Sequence, residues 1–95
     1  MLICDAIRDM KLLQFLYHGQ LRIVQPATYG LDENGRKALR AYQIRGKSAT
    51  GHIPKWRIFH ESDMSALAIL DEKFSGEPPG YVRGDKWFSD ILCQL

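Results

Sequence analysis

The sequence is poor in cysteine, in long apolar runs and in clustered metal ligands. Cys4 and Cys93 are the only cysteines among 95 residues, and they stand at opposite ends. They form no CxxC pair and have no histidine at ligand spacing, which argues against zinc. They are expected as reduced, partly buried thiols of a cytoplasmic protein, with a bridge between the two ends as the other reading. No run approaches the roughly 18 apolar residues that a membrane helix needs. The N-terminus, MLICDAIRDMK, has two acids and no basic lead-in, which argues against a signal peptide. No Walker-type glycine–lysine motif occurs. His18, His52 and His60 stand singly, and the adjacent Asp71 and Glu72 have no second acid with a reason to converge on them. No catalytic constellation follows, so the expectation is a non-enzymatic chain without cofactor.

Acidic residues are also missing from one long stretch. Between Arg36 and His60 there are seven Lys and Arg residues and no Asp or Glu, whereas the remainder of the chain holds six basic and eleven acidic residues. A chain of net charge +2 thus contains a segment of +7. The pI of about 8.6 is only mildly basic, so this uneven distribution is the better clue to an anionic partner. Hydrophobic residues at 45% and charged residues at 25% place the chain in the globular range, and its length allows one domain, residues 1–95, with a small core.

The pattern begins with a short amphipathic helix over residues 2–11, with Leu2, Ile3, Ala6, Ile7 and Met10 on one side. Strands are expected over residues 12–17, 21–25, 27–31, 37–44 and 55–60. His18-Gly19-Gln20 forms the first tight turn and Asn34-Gly35 the strongest hairpin signal. Pro26 is expected to end the pairing of the second strand with the first or to sit on an edge, and Gly30 to mark a bulge. Both faces of residues 37–44 carry apolar side chains, which suits a curved strand in a small barrel. Residues 45–54 read as a loop. Residues 64–68 read as a helical turn capped by Ser62 or Asp63, or else residues 66–70 pass straight into a strand. Residues 77–80 make a rigid turn, and residues 86–92 an apolar piece that docks on the barrel.

The order of residues up to position 74 resembles the WYL domain, a small Sm-like β-barrel of bacterial transcription regulators and defence-associated proteins. The likeness rests on a short helix, a strand ending in Tyr17, Arg22-Ile23-Val24-Gln25-Pro26, a glycine turn, Leu39-Arg40-Ala41-Tyr42, Trp56-Arg57-Ile58-Phe59, the apolar residues 64–70, and Phe74. Where the family's naming tripeptide would stand, this chain has Lys37-Ala38-Leu39, of which only the leucine fits. The resemblance implies a mainly β, Sm-like (Src-homology-3-like) barrel with a short N-terminal α-helix and a C-terminal extension. It also implies a ligand-sensing or nucleic-acid-binding role. No helix-turn-helix precedes residue 1, so a complete protein of this length is not expected to act as a two-domain repressor.

The same resemblance implies site residues Tyr17, Arg22, Arg40, Tyr42, Arg57 and Phe59, and Ser48 of the basic loop is added for its donor. Arg22, Arg40 and Arg57 would together clamp a phosphate or carboxylate. Tyr17, Tyr42 and Phe59 would stack on bases, although core packing is the favoured reading for Phe59, and for Trp56. Lys47, Thr50 and His52 are loop donors, and Gln43 is a weaker candidate bonded within the sheet. The expected function is binding of a nucleotide or short single-stranded nucleic acid, with salt-dependent affinity. The alternative is a protein-interaction module or homodimer formed through strand edges.

Overall fold

A computed structural model describes residues 2–48 and 51–95. The chain runs as α1 (Leu2–Asp9), β1 (Lys11–Tyr17), β2 (Gln20–Leu31), β3 (Lys37–Gly46), β4 (Lys55–His60), a 3-10 turn (Glu61–Asp63), β5 (Met64–Lys73) and β6 (Asp90–Gln94). One antiparallel sheet has the order β4-β3-β2-β1-β5, with β6 added along β2. The molecule is mainly β, as expected. The sheet is not closed: β4 and β5 occupy the two ends of the strand order.

The sheet is nevertheless strongly curled. Phe59 on β4 meets Phe15 and Tyr17 on β1 with ring centroids 5.0 Å apart in both pairs. Two strands separate β1 from β4, and a flat sheet would hold them about 14 Å apart at about 4.8 Å per strand. The Tyr17 hydroxyl also accepts a 3.1 Å hydrogen bond from the backbone N–H of His60. Curling wraps one face around a core of Leu13, Phe15, Tyr17, Val24, Tyr29, Leu39, Ala41 and Phe59. Helix α1 adds Ile3, Ala6 and Ile7, spaced so that all three lie on one side. The helix ends at Asp9, two residues earlier than its apolar pattern suggests, and Met10 follows with a left-handed backbone (φ 52°). A smaller cluster of Leu12, Ile23 and Phe74 packs on the opposite side.

The pairing of β1 with β2 ends at Leu13 and Val24, just before Pro26, as expected, while β2 itself continues through Pro26 along β3. In the pairing with β3 a register shift lies between Pro26 and Thr28. Of the two readings left open for the stretch after Asp63, the strand is the one formed, and it pairs as β5 with β1. Gly30 does lie at a register shift, in the pairing of β2 with β6, and a Cβ there would come within 2.2 Å of the Asp90 carbonyl oxygen. The C-terminal piece docks as expected, with Phe88 buried and β6 along β2.

The cysteines are not free thiols: Cys4 and Cys93 form a disulfide, with Cα atoms 5.7 Å apart. The reason is topological. Strand β6 lies along β2, and α1 packs against both, so the two ends of the chain meet. The argument for a cytoplasmic location from reduced thiols therefore falls away. Among the described residues, no helix is long and apolar enough to cross a membrane. The bridge spans 89 residues of sequence, so its reduction is expected to cost about 2–4 kcal/mol of stability. Urea unfolding with and without reducing agent measures this directly. An unchanged midpoint after complete reduction would deny the bridge a stabilising role.

Candidate anion-binding site

Pleat direction divides the candidate residues into two groups. In the pairing of β3 with β4, Leu39 opposes Phe59, Ala41 opposes Arg57 and Gln43 opposes Lys55. Leu39, Ala41 and Phe59 belong to the core, so alternation puts Gln43, Lys55 and Arg57 on that same face. The other face carries Tyr42 opposite Trp56 and Arg40 opposite Ile58. Arg57 lies at the rim of the core, and Arg40 lies outside it.

Arg22 joins Arg57 from β2. It is only 2% exposed, yet no ion pair links it or Arg57 to a carboxylate among the described residues. Its Nη1 donates a long 3.4 Å hydrogen bond to Gln43 Oε1, and its buried Nε has no partner. Gln43 is fully buried, and its own orientation is fixed by donation from Nε2 to the carbonyls of Lys47 at 2.7 Å and Arg45 at 3.2 Å. Only its oxygen is left to face Arg22.

Aromatic rings supply the remaining compensation. The Arg22 guanidinium sits 5.7 Å from the Tyr17 ring centroid and 6.0 Å from that of Phe59. Arg57 lies 5.7 Å from the same Phe59 ring, and its Nη1 donates to Ser48 Oγ at 3.4 Å. Burial, and then the like charge of Arg57, lower the Arg22 pKa from its ordinary value. Two cations thus share one aromatic floor with no anion between them. Such contacts recover about 0.5–2 kcal/mol each, less than the several kcal/mol that an unpaired buried charge costs. The arrangement is electrostatically unfinished and suits an anion carrying hydrogen-bond acceptors.

The expected set therefore separates. Tyr17, Arg22, Ser48 and Arg57 come together, and Gln43, underrated from sequence, is their hub. Lys55 lies on the same face, and strict alternation along 55–59 was the signal that could have found it. Arg40 and Tyr42 do not join them. Arg40 pairs with Asp85 on the outer face, so a three-arginine clamp is not formed. Tyr42 packs against Trp56 with centroids 5.3 Å apart. Trp56 is not core either: it is half-buried and donates from Nε1 to the Pro79 carbonyl at 2.7 Å. Together with Thr28, Arg40, Tyr81, Val82 and Asp85 it lines a separate cleft of about 270 Å3. That cleft has a neutralised arginine, which makes it a poorer anion site than the Arg22–Arg57 pair despite its clearer shape.

The stacking role expected of Tyr17 and Phe59 is also corrected. Both rings are buried and serve as the floor beneath the arginines. His52 is exposed, and Thr50 lies outside the described residues. No family model matches the chain, and neither does any curated protein or solved structure.

Replacing Arg22 by methionine discriminates a binding arginine from a structural one. Losing the unpaired charge offsets the cost of stranding the Gln43 oxygen, so Arg22→Met is expected to change stability by no more than about 1 kcal/mol. An arginine whose charge is already compensated would cost about 3–5 kcal/mol on removal. Chemical denaturation of the variant decides between them, and a loss in the larger range would refute the site as described.

Proposed function

We propose that the chain is a WYL-like, non-enzymatic binding module that holds a phosphate-bearing ligand, a nucleotide or a short single-stranded nucleic acid, at Arg22 and Arg57. The single observation that carries this reading is the buried, carboxylate-free Arg22 beside the half-buried Arg57. Ser48 adds a hydroxyl at the rim, and Gln43 sets the direction of Arg22. The resemblance supports the same assignment, because Tyr17, Arg22 and Arg57 are among the positions it marks.

The architecture favours an Sm-like reading in particular features. A helix precedes five strands ordered β4-β3-β2-β1-β5, a 3-10 turn joins β4 to β5, and β2 is long enough to serve both β1 and β3 as the sheet curls. We read the sheet as an open form of that barrel, with the Arg22–Arg57 pair at its mouth. Phosphate neutralisation dominates the affinity, since the two rings nearest the arginines are covered. Arg40 and Tyr42 are assigned to the outer face and contribute little.

Equilibrium binding of fluorescent short single strands, with mononucleotides as competitors, tests the proposal across a range of salt. Affinity is expected to fall steeply as salt rises, and to drop about tenfold or more in Arg57→Gln, the equivalent of about 1.4 kcal/mol. The same change in Arg40→Gln is expected to be within twofold. An Arg40-dependent, Arg57-independent affinity would move the site to the outer face and sink the assignment.

A further inference from the structure

The charge and access of the Arg22–Arg57 pair narrow the ligand further, on the assumption that the pair is the anion site proposed above. We infer that the group it accepts is a terminal phosphomonoester, the end of a nucleic-acid strand or a free nucleotide, rather than an internal phosphodiester. Three observations converge on this.

Charge comes first. Two guanidinium groups share the Phe59 ring, and no carboxylate neutralises either among the described residues. A phosphomonoester carries about −1.5 to −2 charges at neutral pH, which matches the pair. An internal diester carries one charge and leaves the second cation unpaired.

Access comes second. Arg22 is buried and Arg57 is half-buried, so of the two it is Arg57 that a ligand can reach from solvent. A monoester presents three oxygens end-on and has a single substituent trailing away. An internal diester has a sugar on each side, and both must fit against the rim for its oxygens to reach the same depth.

The third observation is that the two rings beneath the arginines are covered. Proteins that track along a strand set exposed aromatic rings beside a basic groove. Here Tyr17 and Phe59 are the rings at the pair, and both lie beneath the arginines, buried in the core. Recognition is left to the anionic group itself, with Arg57 as the fork, Ser48 as a hydroxyl partner and Arg22 as a fixed charge behind them.

The test uses the intact chain and one short single-stranded DNA sequence prepared with a 5′-phosphate, with a 3′-phosphate, or with hydroxyls at both ends. The matching nucleoside monophosphate is the competitor, and binding is read by fluorescence anisotropy. At least one phosphorylated form is expected to bind tenfold or more tightly than the hydroxyl-ended strand, and the advantage is expected to vanish in Arg57→Gln. Arg57→Lys keeps the charge without the fork and is expected to lose part of the advantage. It also serves as the second variant should Arg57→Gln fail to fold by circular dichroism. Displacement by the monophosphate at concentrations near the strand's own affinity supports a free nucleotide as the source of the group. Resistance to that displacement supports a strand end. Equal binding of all three strands, still lost in Arg57→Gln, would overturn the monoester inference and leave the anion site standing. Binding to none of them, or binding indifferent to both substitutions, would overturn inference and site together.

Discussion

The contact of Phe59 with Phe15 and Tyr17 is the interaction on which the rest of the structure depends. It joins β4 to β1 across the concave face of a sheet in which they are not neighbours. Without it the sheet would flatten, and the core residues of β2 and β3 would lose the layer that covers them. The same contact builds the candidate site. Phe59 is the ring over which both Arg22 and Arg57 lie, and Tyr17 is the second ring beneath Arg22. Folding and site formation are therefore one event, and the core supplies the floor on which two like charges are held.

Holding those charges has an energetic consequence. Buried charges in folded proteins are normally paired, because desolvation outweighs whatever rings and dipoles return. Arg40, partly buried, follows the rule by pairing with Asp85, while the exposed Arg45 and Arg8 pair with Glu72 and with Asp5 and Asp9. Arg22 is the most buried of them and has no such partner. Tyr29, also buried, shows the ordinary solution, donating to Glu61 at 2.7 Å. Thr28 Oγ1 and His60 Nδ1 are also buried without a hydrogen-bond partner, but both are neutral dipoles; Arg22 carries a full charge, and leaving it open beside Arg57 gives the pair the electrostatics of a binding site awaiting its anion.

Much of the fold was legible in the sequence because it is encoded by local signals. Period-two alternation marked the strands, Asn34-Gly35 marked the hairpin, and the spacing of Ile3, Ala6 and Ile7 marked the helix. The face of Arg57 was also legible, since alternation with Trp56 and Ile58 put it with Phe59. Features that depend on distant partners were not. Asp85 reaches Arg40 from an irregular stretch 45 residues away, and nothing local links the two. The cysteine bridge needed β6 docked on β2 before its ends could meet. Gln43 was underrated because its importance lies in joining the nearby carbonyls of Arg45 and Lys47 to Arg22, which is 21 residues away in the chain.

The most direct test of the central claim is the thermal midpoint of the protein as inorganic phosphate replaces chloride at constant ionic strength. Binding to the folded state alone raises the midpoint with ligand concentration. The account predicts a progressive rise for the wild-type chain that is lost in Arg57→Gln. General exclusion of phosphate from protein surfaces would stabilise both equally. A rise of the same size in the variant, or no rise in either, would contradict the claim that Arg22 and Arg57 form an open anion site.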